Sequence, residues 1–150
     1  MKLHTISKSQ ILPIDLNKAW GFFSDPKNLQ RITPPEMNFR IRSELPSEIY
    51  PGLIIHYRLN ALPAVPVSWI TEITHVQQKR MFVDEQRFGP YKFWHHQHHF
   101  RTVPDGVETE DIVHYALPFD PLSRIVHALL VGPRLRTIFE YRQQILSDLF

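Results

Sequence analysis

The chain contains no cysteine in 150 residues. That excludes disulfides, thiolate nucleophiles and cysteine-ligated metal centres. Glycine is scarce, five residues in all, and no glycine-rich phosphate loop can be built from them. Ser68, Ser123 and Ser147 lack the flanking glycines of a nucleophile elbow. No apolar run approaches the roughly 18 residues of a membrane span. The opening MKLHTISKSQILPI alternates polar and apolar residues, where a secretory signal needs a continuous apolar stretch. A cytoplasmic protein that does not span the membrane is the expectation. Charge is not concentrated either: 17 Lys+Arg against 15 Asp+Glu leave a net +2. Without a basic run, a nucleic-acid partner has no footprint.

What is present is hydrophobic patterning. Repeats and linkers are absent, and the 13 prolines are scattered as turn punctuation. One domain spanning 1–150 is expected. Residues 2–12 read as a strand ended by Pro13. Asp15 is a plausible N-cap for a helix over DLNKAWGFFSD, and Asp25 precedes a proline at the start of a second short helix. Pro34 and Pro35 stop it. From 37 to 117 the period is two: Ile55, Tyr57 and Leu59 alternate with His56, Arg58 and Asn60, and PDG at 104–106 marks a hairpin. After Pro118 the spacing turns helical through Leu135, Ile138, Phe139, Ile145 and Leu149, with a kink expected at Gly132-Pro133.

One strand, two short helices, six strands and a long terminal helix is an order that resembles the helix-grip superfamily, which includes START domains, pathogenesis-related plant proteins and polyketide cyclases. The matching pieces are NLQRITPP at 28–35, FVDEQRFGPYKFWHHQHHF at 82–100, DIVHYALP at 111–118 and IFEYR at 138–142. They look like a bacterial ligand-binding branch of that superfamily. The resemblance implies an α+β helix-grip fold, a curved seven-stranded antiparallel sheet wrapped around the C-terminal helix with a cavity between them. It implies lipid- or polyketide-like ligands and no metal or other cofactor.

Four histidines lie within FWHHQHHF, 93–100. Residues two apart on a strand share a face. Trp94, His96, His98 and Phe100 form one set, read as inner; His95 and His99 belong to the other, read as solvent-accessible. The PDG hairpin places Thr109, Asp111, Val113 and Tyr115 beside the inner set. His96, His98, Asp111 and Tyr115 are thus candidates for a self-satisfied polar network, for ligand orientation, or for catalysis. The two histidines with Asp111 also make a metal alternative. For residues 81–87, hydrophobicity does not choose a face. The resemblance favours Asp84 and Gln86 inward, with Gln86 on a ligand carbonyl; a bulge with both at the sheet edge is the alternative. Tyr57 and Trp69 complete the expected binding set as inner-face aromatics.

Three functions follow. The first is a carrier or sensor of a small, largely apolar molecule. The second is a cyclase- or dehydrase-like enzyme, with His96 or His98 as general base, Asp111 as its carboxylate and Tyr115 stabilising an enolate. The third is an interaction protein with a vestigial cavity, a homodimer being one form of it.

Overall fold

Residues 1–150 are described by a computed structural model. Strand β1 (His4–Leu12) is followed by helix α1 (Leu16–Phe23). Asp15 Oδ1 caps the helix by accepting from the Lys18 amide at 2.8 Å, and Ala19, Trp20 and Phe22 form its buried face. The second short helix, Pro26–Ile32, is of the tighter 3-10 kind. Asp25 Oδ1 accepts from the Lys27 amide at 3.0 Å to start it. A 3-10 turn at Pro35–Met37 leads to a two-residue strand, β2 (Arg40–Ile41).

Five long strands follow: β3 (Leu53–Leu62), β4 (Val65–Gln77), β5 (Met81–Phe88), β6 (Phe93–Val103) and β7 (Gly106–Ala116). The sheet is antiparallel, in the order β1-β7-β6-β5-β4-β3-β2. In β3 the predicted alternation is realised, with Leu53, Ile55, Tyr57 and Leu59 buried. Register shifts within the β3–β4 and β4–β5 pairs interrupt the ladder, a device that bends strands and lets a sheet curl. The β6–β7 hairpin turns on Pro104 and Asp105 and pairs Trp94 with Tyr115, His96 with Val113 and His98 with Asp111. Gly106 is obligatory there: φ is +142° and a Cβ would lie 2.0 Å from the Leu12 carbonyl oxygen.

The C-terminal helix has three parts: α2 (Leu122–Val126), a π-helical turn (His127–Val131) and α3 (Gly132–Leu149). The irregularity expected at Gly132-Pro133 takes the form of this π turn. Pro133 has no amide to donate, and the Gly132 amide reaches back five residues to the His127 carbonyl. A Cβ at Gly132 would crowd that carbonyl at 3.1 Å. Along α3 the buried residues are Leu135, Phe139, Arg142 and Leu146, one inward stripe. Leu135 and Phe139 pack on Trp94, Val113 and Tyr115, while Leu146 packs with Leu12, Phe22 and Ile32. Full burial of each such apolar side chain contributes about 2 kcal/mol. This packing holds the helix against the same sheet face that carries the inner histidines.

Candidate functional site

Between the sheet and α3 lies a cavity of about 190 Å³. Of its 32 lining residues 21 are hydrophobic, so the wall is apolar with a few polar groups set into it. Aromatics line the cavity rather than fill it. Trp69 and Trp94 meet edge to face at 5.2 Å, with the Tyr91 ring 4.8 Å from Trp94. Trp69 satisfies its ring N–H on Thr71 Oγ1 at 3.1 Å.

The polar groups come from three strands and the helix. Asp84 on β5 sits opposite His96 on β6, and Asp111 on β7 sits opposite His98. The backbone ladders therefore place two carboxylates on either side of two imidazoles. His98 Nε2 lies 2.6 Å from Asp84 Oδ2, and His96 Nε2 lies 2.7 Å from Asp111 Oδ1. The remaining ring nitrogens face the opposite carboxylates at longer range: His98 Nδ1 to Asp111 Oδ1 at 3.4 Å, His96 Nδ1 to Asp84 Oδ2 at 3.7 Å. The two rings stack at 3.8 Å, and Phe82 covers the outer face of His98 at 4.1 Å. Arg142, from α3, donates to Asp111 Oδ1 at 3.3 Å.

Burial and charge compete at each group. For His98, burial and the neighbouring His96 push the pKa down to about 4, against the pull of the two carboxylates. Burial alone would raise Asp111, but the hydrogen bond from His96 and the charge of Arg142 hold it below the usual carboxylate range. Asp84 is likewise lowered: burial opposes, and His96 and His98 prevail. Burial, aided by the Asp84 charge, drives the Tyr57 hydroxyl well above its ordinary value, so it stays protonated as a donor.

No protein-family model matches the sequence, and no curated protein matches it. Solved structures do. The chain is similar to protein CV1439 from Chromobacterium violaceum, with a TM-score of 0.71 and 13% identity over 97% of this chain and 96% of that one. TTHA0849 from Thermus thermophilus gives 0.73 and 12% over 97% and 95%. A START superfamily protein from Mycobacterium smegmatis gives 0.69 and 13% over 98% and 99%. The chain has the helix-grip fold. At these identities the likeness fixes the architecture and no more.

Within the helix-grip frame, the expected site residues separate into two groups. Tyr57, Trp69, Asp84, Trp94, His96 and His98 line the cavity. Gln86, Asp111 and Tyr115 are not among its lining residues. Gln86 is turned onto the loop after β5, where its amide donates to the Tyr91 carbonyl at 2.7 Å and accepts from the Tyr91 N–H at 3.0 Å. It braces the turn that presents Tyr91. Asp111 stands behind the histidines. The Tyr115 hydroxyl is 2.6 Å from His127 Nε2, and His127 stacks on His4 at 3.6 Å. The Tyr115 hydroxyl is thus engaged at His127 rather than at His96 or His98. On the opposite face, His95 and His99 are half-buried rather than freely accessible. Phe93 and His114 flank His95, and Gln97 bonds His99. Sequence reasoning misses Arg142 and Tyr91; their signals are the IFEYR helix and the aromatic after Gly89-Pro90.

Proposed function

We propose that the protein binds a compact, largely apolar molecule bearing one polar group. The observation that supports this reading is the apolar cavity with Asp84, His96, His98 and Arg142 set into its wall. Apolar contact would supply affinity: at about 25 cal/mol per Å², burying roughly 200 Å² gives about 5 kcal/mol before association costs. The polar cluster and the Tyr57 hydroxyl would orient a ligand carbonyl or hydroxyl. Size narrows the class. A cavity of roughly 150 Å³ accepts benzene, so one of about 190 Å³ suits one or two rings rather than a full lipid chain. A carrier or sensor of such a molecule is the role in view, and no helix of the chain is long and apolar enough to cross a membrane.

The cyclase-like reading also has an observation behind it, the imidazole–carboxylate pair of His98 and Asp84 facing the cavity. In that version Tyr57, and not Tyr115, is the hydroxyl near the developing enolate. A histidine whose pKa is lowered to about 4 is, however, a weak base at neutral pH. Binding is the better-supported function.

The test is displacement of an environment-sensitive apolar dye, in wild type and in Ile138→Trp, which places bulk into the cavity from α3. Dye binding should fall at least tenfold in the variant with cooperative unfolding retained. Equal binding in the two proteins would move the ligand elsewhere.

A further inference from the structure

Asp84, His96 and His98 offer one donor atom each, and the three atoms lie within 4.8 Å of one another. We propose that these three residues bind a divalent first-row transition ion, zinc or ferrous iron, with its open coordination positions facing the cavity. The ligand set is two imidazoles and one carboxylate, the donors that suit these ions; calcium and magnesium require more oxygens. The geometry is asymmetric in a way that favours this assignment. His96 presents Nδ1 and His98 presents Nε2 toward Asp84 Oδ2, at 3.7 and 2.6 Å. Their other nitrogens, His96 Nε2 and His98 Nδ1, both address Asp111 Oδ1, at 2.7 and 3.4 Å.

Asp111 is thus placed as the carboxylate that accepts from the far side of His96, with His98 Nδ1 3.4 Å from the same oxygen. Such an arrangement fixes the tautomer, aims the free lone pair and makes the imidazole a better donor. With His96 Nε2 donating to Asp111, its Nδ1 lone pair faces Asp84 Oδ2, and an ion there would take the place of the proton that His98 Nε2 shares with Asp84. Arg142 settles which carboxylate takes which role. Its guanidinium bonds Asp111 at 3.3 Å, which disfavours a metal on that side and supports Asp111 as the outer partner. Asp84, His96 and His98 line the cavity, whereas Asp111 does not. The sequence alternative of His96 and His98 with Asp111 is therefore replaced by the same histidines with Asp84. Adjacent strands β5 and β6 hold all three, so little chain entropy is lost on binding.

This site stands whether or not an organic ligand binds beside it, so the two readings can fail separately. Untagged protein is stripped with a chelator and titrated with Zn²⁺ by calorimetry and with Co²⁺ by visible absorption. One ion per chain is expected, with the intense bands of a low-symmetry Co²⁺ site. Asp84→Asn and His98→Gln should weaken Zn²⁺ binding more than a hundredfold, and Asp111→Asn, acting through the histidines, by about 10–100-fold. His95→Gln with His99→Gln, on the opposite sheet face, should change nothing. Folding of each variant is checked by circular dichroism. Should the buried variants fail to fold, the wild type and the His95/His99 variant still decide, because Zn²⁺ must raise the melting temperature of both equally. No Zn²⁺ binding by wild type, or binding lost with His95 and His99, overturns the proposal.

Discussion

Replacing Arg142 with methionine probes how the buried cluster is held. Its guanidinium donates to Asp111 Oδ1 at 3.3 Å, with the two side chains only 10% and 17% exposed. Methionine keeps an apolar stem beside Phe139, over whose ring the guanidinium carbon sits at 5.1 Å. The change therefore removes charge more than packing. Removing one partner of a buried pair costs about 3–5 kcal/mol, because the other charge is left uncompensated. Asp111 still has His96 Nε2 at 2.7 Å, which places the expectation at the low end, about 3 kcal/mol. Urea denaturation at pH 7 should show the midpoint falling with the slope unchanged. The pH dependence sharpens the test. Asp111 is held below its ordinary pKa, so its contribution is present above that ordinary value and lost as pH falls through the folded one. The deficit of the variant should be largest near neutrality and shrink in acid. A loss under about 1 kcal/mol at pH 7, or one that persists unchanged in acid, would refute the pairing.

Three further outcomes follow from the same contacts. Folding lowers the His98 pKa from an ordinary 6.5 to about 4. The unfolded state thus binds the extra proton first, and chelator-treated protein should lose about 3 kcal/mol as pH falls between those two values; a flat stability profile there would contradict a buried neutral imidazole. Gln86→Ala removes both bonds to the Tyr91 backbone and should cost about 2 kcal/mol while speeding amide exchange at Tyr91. Unchanged exchange would mean the loop is held by other contacts. Tyr115→Phe should cost about 1 kcal/mol by freeing His127 and leave dye binding as it was; a several-fold loss of binding would return Tyr115 to the site.

Strand parity carries the sequence reading far. Period two together with the PDG hairpin puts His96, His98, Asp111 and Tyr115 on one face, and the β6–β7 ladder has them there. It is silent on depth along the strand. Tyr115 shares the face of His98, yet it lies at the end of the sheet where His4 and His127 converge, one from the first strand and one from the terminal helix. For Gln86 the pattern chooses no face and only the resemblance favours an inward one; a side-chain amide next to a Gly-Pro loop finds two backbone partners nearby and takes them. Arg142 is hidden by its own polarity. On an amphipathic helix a cation is read as solvent-facing, and only the stripe Leu135, Phe139, Arg142, Leu146 shows it turned inward. What it pairs with, Asp111, is 31 residues away and cannot be read from helical period.

The cluster also bears on why the site is polar at all. Asp84, His96, His98, Asp111 and Arg142 could be replaced by Leu, Phe, Leu, Leu and Met without adding charge to the interior. Burying ions costs several kcal/mol each, and exchanging such groups for well-packed apolar residues is commonly neutral or stabilising by about 1–4 kcal/mol. Removing any one member should do the opposite, because its partner is stranded. The five-fold apolar variant is therefore expected to unfold at or above the wild-type urea midpoint, whereas Arg142→Met alone lies well below it. Its cavity, still apolar, should retain some dye but discriminate less between a ring bearing a carbonyl and the same ring without one, since only the Tyr57 hydroxyl is left of the donors named at the wall. Loss of Zn²⁺ binding would accompany that change. If instead the variant is less stable than Arg142→Met, the network is a structural element of the helix-grip core. The polar wall would then owe its presence to stability and not to what enters the cavity.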